Sequence, residues 1–372
     1  MPILNDYDGM RARAERMAMG GRPYVCVTMG DPAGIGPEIA VKAIAPGGLL
    51  GCCMPFVVGD CGVIREAAGF MADGPGGAPG PGRVTVRAIR DPADGDYAAG
   101  VVNVMEACRG GRPGTGRLRM GEATAEAGAM GLACIREAAG LALSGKADAV
   151  ATAPVNKRAM RLVDGRFIGH TEELARIAGV PDARTMFQVG PLRIFFLTRH
   201  VSLREACGAV TKANVMKGIE DCSEALAGLA GVSPSLAVAG LNPHSGDGGL
   251  FGVEELREIE PAVSEMRRRG YDVHGPVPAD SVFHLAEVGR YGAVLALYHD
   301  QGHIAAKALG FSRTVSVTLG LPFVRTSVDH GTAYDIAGKG MADEGSMFEA
   351  IKVAAGYASG AKGAAGRAVT RR

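Results

Sequence analysis

The chain has 372 residues, 47% of them hydrophobic, with 40 basic and 39 acidic side chains and a formal net charge of +1. That length suits two domains or one large α/β unit with a substantial core. The charge balance gives no electrostatic basis for nucleic acid or an anionic membrane as partner, and no apolar stretch approaches the length needed to cross a bilayer.

Residues 1–22 carry Arg11, Arg13, Arg16 and Arg22 with no apolar signal core behind them, and read as an N-terminal extension. Tyr24 to Thr28 is the first predicted strand, and Pro37 opens a helix to about Ala45, placed as a first-turn proline should be. A strand at 56–58 and a helix at 60–69 follow, then a Gly/Pro-rich loop at 73–83. An Ala-rich helix spans 121–144 and a strand Ala147 to Thr152. Further helices are predicted near 171–178, 211–230, 253–269, 280–287, 300–308 and 346–360, and strands at 185–189, 193–198, 235–241, 292–298 and 314–318. This alternation predicts an α/β fold with mainly parallel sheets. A domain change is expected near residue 150, where the Thr152-Ala153-Pro154 corner follows a strand directly. The eight cysteines form no CxxC pair and read as reduced thiols of a cytoplasmic protein, with Cys26, Cys134 and Cys207 inside apolar stretches.

Three apolar runs end in histidine: 193–199 before His200, 236–243 before His244, and 293–298 before His299. Ligands of open α/β sheets bind past the carboxyl ends of strands. Three imidazoles delivered there suit one divalent metal with an open coordination position, with Asn242 and Asp300 as supporting partners. The turn Met29-Gly30-Asp31-Pro32-Ala33-Gly34-Ile35-Gly36-Pro37-Glu38 can hold an anion on free N–H groups or can simply be tight; Asp31 reads equally as a turn residue or an acid. In Gly169-His170-Thr171-Glu172, Thr171 can cap the following helix while His170 faces a ligand. Asp280 can be a helix cap or a catalytic group; His274, His284 and His303 read as surface or core. Lys307, Ser316 and Arg325 suggest a phosphorylated or carboxylated substrate, and Asp329 and His330 are candidates to face a nicotinamide cofactor. On residues alone, a metal-dependent lyase or aldolase competes with a dehydrogenase, because no Rossmann fingerprint is present.

At these residues the chain resembles the 4-hydroxythreonine-4-phosphate dehydrogenase family. The matching pieces are residues 30–38, 169–172, 240–246, 298–302 and 318–332, in the family's order from about 24 to 360. The resemblance implies a two-domain fold similar to the isocitrate and isopropylmalate dehydrogenases. The first domain would take 23–150 plus about 310–372 and the second 151–309, with the active site in the cleft between them. It implies a homodimer whose metal site is shared across the interface, with His200, His244 and His299 as ligands of zinc, cobalt or magnesium. His170, Thr171, Lys307 and Arg325 match substrate-binding residues, and Ser316 stands where the best-known members carry an asparagine. The implied reaction is NAD- or NADP-dependent oxidative decarboxylation of a phosphorylated four-carbon 3-hydroxy acid. The expected substrate is 4-phosphohydroxy-L-threonine, of pyridoxal phosphate biosynthesis; Gln301-Gly302-His303-Ile304 points instead to the branch acting on D-threonate or D-erythronate 4-phosphate. Lys307 and Asp280 are the expected catalytic groups, with Asp280 or a metal-bound water as the proton acceptor and Asp280, Asp329 and His330 toward the cofactor.

Overall fold

The computed structural model describes residues 21–70, 84–108, 118–181, 183–229 and 231–360, together with Glu15 and Gly111. The loop expected at 73–83, most of the N-terminal extension and the chain beyond 360 lie outside the described residues. In chain order the strands are β1 (Tyr24–Thr28), β2 (Met54–Gly59), β3 (Thr85–Ile89), β4 (Val101–Glu106), β5 (Ala149–Thr152), β6 (Arg184–Val189), β7 (Leu192–Phe196), β8 (Leu236–Ala239), β9 (Val273–Val277), β10 (Ala293–Ala296), β11 (Val315–Leu319) and β12 (Val324–Val328). The α-helices are α1 (Gly36–Ile44), α2 (Cys61–Gly69), α3 (Ala125–Leu143), α4 (Lys157–Arg161), α5 (His170–Ala178), α6 (Leu203–Gly208), α7 (Lys212–Ala227), α8 (Glu260–Arg268), α9 (Ala279–Glu287), α10 (His299–Gly310) and α11 (Gly345–Gly360).

The chain divides into two α/β units. One is built from the residues up to Ala183 and those from Thr318 onward, the other from Arg184–Val317. In the first, the order is β3-β4-β2-β1-β5-β12 and every pairing is parallel. Strands β1 and β5 are buried along nearly their whole length, as strands covered by helices on both faces must be. In the second unit the order is β6-β7-β10-β8-β9. Here β6 and β7 form an antiparallel hairpin across Gly190-Pro191, and the other pairings are parallel. Its core gathers Leu192, Ile194, Ala237, Val294 and Ala296 against Val282 and Ala286 of α9.

The change of unit falls at Ala183/Arg184, not near residue 150. Helix α4 is the reason: it packs so closely on α3 that a Cβ at Gly128 would lie 2.1 Å from the Ala159 carbonyl oxygen. The segment after Pro154 therefore stays with the first unit. Five of the eight cysteines are buried as expected, Cys26 and Cys134 among them, but Cys207 is exposed. No helix among the described residues is long and apolar enough to cross a membrane.

Candidate active site

The turn after β1 is built by close approach. A Cβ at Gly30 would meet the Pro154 carbonyl oxygen at 2.5 Å, and one at Gly36 the Met29 oxygen at 2.3 Å. Asp31 is buried in it; its Oδ1 accepts the Ala33 N–H (2.8 Å) and its Oδ2 the Tyr334 hydroxyl (2.6 Å). Burial pushes its carboxyl pKa up from the usual range, opposed by those hydrogen bonds. Asp31 is thus a turn-holding residue. Ile35 N–H donates to the Thr332 carbonyl, which ties this turn to the segment after β12 where Asp329 and His330 lie. His330 is exposed, with Nδ1 3.0 Å from the Gly331 oxygen.

Arg325 enters from β12 and is 3% exposed. Its guanidinium donates to Thr152 Oγ1 (3.1 Å from Nε, 2.6 Å from Nη2), to Thr318 Oγ1 (2.8 Å) and, at 3.5 Å, to Thr171 Oγ1. Neutral hydroxyls hold it; no carboxylate hydrogen-bonds it among the described residues. Burial lowers its pKa to about 10, partly offset by the charge of Glu172, so it remains a cation at neutral pH. Helix α5 starts at His170 with Gly169 as its uncapped N-cap, so Thr171 does not cap the helix and is free to face Arg325. His170 Nε2 is buried without a hydrogen-bond partner. A buried cation, an unpartnered imidazole nitrogen and a helix N-terminus are groups whose chemistry suits an anion.

Burial, then the charges of Arg325 and Lys157, hold the His170 pKa well below its ordinary 6.5. The unfolded ring takes up a proton near 6.5 while the folded one does not, so its contribution to stability is complete above that pH and is lost as the pH falls below it. Roughly 1 kcal/mol should disappear over the first pH unit below 6.5. Denaturant unfolding of the parent and of His170→Gln across this range measures it: the parent should lose that much more than the variant, and parallel curves would refute the assignment.

In the second unit, β7, β8 and β10 lead to the three histidines. His200 and His299 meet, with ring centroids 5.9 Å apart, beside an open pocket of about 290 Å³ lined also by Tyr298 and Asp300. His299 Nδ1 lies 2.6 Å from Asp300 Oδ1, which leaves Nε2 to act outward. Its ring stacks on His303 (3.9 Å), which stacks in turn on Phe196 (4.9 Å) with Phe187 edge-on (4.3 Å). His303 is thus a core residue, and burial, with the nearby His299 and Lys307, lowers its pKa to about 4. Gln301 is buried and joins two of the histidine-bearing strand ends: its Oε1 accepts the Leu297 N–H (2.7 Å) and its Nε2 donates to the Gly240 oxygen (2.8 Å).

His244 stands in a separate left-handed loop and its ring packs on Phe251. Asn242, expected to support it, instead directs its amide to Glu254 and Glu255. Among the described residues of the single chain, no three His, Cys, Asp or Glu side chains gather as a metal-holding group. The donor chemistry nevertheless suits a divalent ion: two imidazoles at this centroid spacing can both reach one ion at ~2.1 Å per nitrogen. Asp280 lies in the first turn of α9, exposed, and does not cap it; the N-cap is Pro278. Lys307 is half-buried two turns along α10 from His299, with Nζ 5.4 Å from the Phe311 ring centre, and Ser316 is half-buried in β11.

The family model described as pyridoxal phosphate biosynthetic protein PdxA matches residues 51–354. The chain belongs to the PdxA family. A provisionally named D-threonate 4-phosphate dehydrogenase of Symbiobacterium thermophilum is 50% identical over 343 residues, 92% of this chain and 98% of that protein. The crystal structure of 4-hydroxythreonine-4-phosphate dehydrogenase from Klebsiella pneumoniae is 40% identical, with a TM-score of 0.77 over 90% of this chain and 99% of that one. A terephthalate 1,2-cis-dihydrodiol dehydrogenase from Burkholderia xenovorans is 29% identical, with a TM-score of 0.57 over 90% and 98%. These relatives are named as dehydrogenases, which sets the dehydrogenase reading of this PdxA-family chain above the lyase or aldolase.

Proposed function

We propose that this PdxA-family protein carries out NAD(P)-dependent, divalent-metal-dependent oxidative decarboxylation of a phosphorylated four-carbon 3-hydroxy acid, with D-threonate 4-phosphate as its substrate. The observation that carries the phosphate is Arg325, buried and ringed by hydroxyls instead of a carboxylate. The choice of D-threonate over 4-phosphohydroxy-L-threonine rests on the relative at 50% identity, against 40% for the structure named for the latter.

In this reading Arg325 grips two phosphate oxygens, Thr171 and His170 add hydrogen bonds, and Lys307 supplies a second positive charge. Because His170 is neutral, it can donate from Nε2 without adding charge beside Arg325. His200 and His299 hold the metal from one protomer, and a second copy of the chain supplies the remaining imidazole through His244, which makes the working form a homodimer. When bound, the ion would supply Lewis-acid stabilisation of negative charge on the substrate oxygen, and the nicotinamide, for which Asp329 and His330 are the candidate contacts, would supply the hydride acceptor. In this reading the exposed carboxylate of Asp280 accepts the proton released from the alcohol. Oxidation of the alcohol gives a 3-keto acid, a reduced nicotinamide and one proton; loss of CO₂ then leaves an enolate that takes up a proton.

The test is nicotinamide reduction at 340 nm with purified protein, Zn²⁺, Co²⁺ or Mg²⁺, NAD⁺ or NADP⁺, and a panel of D-threonate, D-erythronate and 4-hydroxy-L-threonine 4-phosphates. D-threonate 4-phosphate should give a kcat/KM at least about tenfold above the amino-acid phosphate. No reduction with any member would remove the proposal, and preference for the amino acid would move the substrate to the other branch.

A further inference from the structure

His244 occupies backbone that its own residue types resist. Five consecutive residues are left-handed: His244 (φ 54°), Ser245 (54°), Gly246 (80°), Asp247 (43°) and Gly248 (65°). Three of the five carry a Cβ and pay for it sterically. Something outside the loop must hold it.

Glu255 lies on a single π-helical turn, Glu255–Ile259, immediately before α8, and is 1% exposed. Its Oε1 accepts the backbone N–H of both Leu241 and Asn242, each at 2.7 Å, and its Oε2 accepts Asn242 Nδ2 at 2.8 Å. No lysine or arginine pairs with it among the described residues. The loop closes around these groups: a Cβ at Gly246 would lie 2.8 Å from Glu255 Oε2, and one at Gly252 2.3 Å from Asn242 Nδ2. A buried carboxylate without a counter-ion is an expensive anchor. What it offers is several acceptor sites on one rigid group, enough to turn the chain just past β8. Single π turns occur often where a helix must aim a side chain away from its regular path.

We propose that Glu255 is the positioning residue for His244: it latches the strand end so that the following five residues are driven into the left-handed conformation that presents the imidazole. This rests on the reading of His244 as a metal ligand, and the experiment separates the two. Metal-free protein is titrated with Co²⁺, following visible absorbance and competition with a chelator. Glu255→Gln should weaken Co²⁺ binding at least about tenfold, in the range typical when a ligand's support is removed. Adding Ser245→Gly and Asp247→Gly should bring affinity back to within about threefold of the parent, because glycine enters the left-handed region freely. Parent-like Co²⁺ affinity in Glu255→Gln, or no recovery with the two glycines, overturns the latch. Failure of the parent itself to bind Co²⁺ overturns the metal reading; amide exchange then decides the latch. Faster exchange at Leu241 and Asn242 in Glu255→Gln supports it, and unchanged protection overturns it.

Discussion

Replacing Arg325 with alanine is expected to raise the KM for the phosphorylated substrate roughly 100-fold with a smaller effect on kcat, equivalent to about 3 kcal/mol of lost charge-assisted bonding. The guanidinium is 3% exposed and donates to Thr152, Thr171 and Thr318, none of which can neutralise it. No carboxylate among the described residues hydrogen-bonds it, and Glu172 acts on it only through its charge, so its donors remain available to a phosphate. Arg325→Lys keeps the charge but loses the planar fork, and should recover only part of the loss. Steady-state kinetics with the phosphate and its dephosphorylated analogue check this: the analogue should be a poor substrate for the parent and nearly indifferent to the substitution. An unchanged KM for the phosphate would take Arg325 out of the site.

The second large effect is expected at the histidines. His200→Ala, His244→Ala and His299→Ala should each lower kcat by at least about 10³, since a metal site missing one of three ligands loses affinity as well as geometry. His200 and His244 are exposed in the single chain, so their removal should leave thermal stability within about 0.5 kcal/mol of the parent. A chelator should silence the parent enzyme and added metal should restore it. Full turnover by His244→Ala after chelation would show that these imidazoles hold no catalytic ion.

Much of the architecture could be read from the chain because its central strands are short uninterrupted apolar runs. Leu236–Ala239 and Ala293–Ala296 are buried at every position, so pattern and environment agree. Of the four strands that escaped notice, Val101–Glu106 is an apolar, buried run like those predicted, and the other three break that rule. Val324-Arg325-Thr326-Ser327-Val328 is largely polar yet buried, because its hydroxyls bond the Ala350 and Thr152 carbonyls and its guanidinium the hydroxyls of Thr152 and Thr318. Thr85–Ile89 is mostly exposed, and Val273–Val277 contains Gly275 and Pro276 at the edge of its sheet. The helix expected over 253–269 is interrupted by its π turn, which no periodicity announces.

The candidate site was legible in its charged and imidazole groups and illegible in what surrounds them. Arg325, His170 and the three histidines stand out by residue type. Thr152, Thr318, Gln301 and Glu255 do not, since their roles arise from hydrogen bonds to residues 7 to 173 positions away, or to backbone groups of a neighbouring strand. Only the polarity of Thr318 and Gln301 beside apolar runs hinted at a task.

The ring of threonines about Arg325 has a practical corollary. A cation kept waiting among neutral oxygens does not distinguish sharply between a sugar-acid phosphate and the free ion of a common buffer. On the proposed role of Arg325, orthophosphate or sulfate in an assay or a purification should compete with substrate there, so apparent affinities should be measured in an amine or zwitterionic buffer.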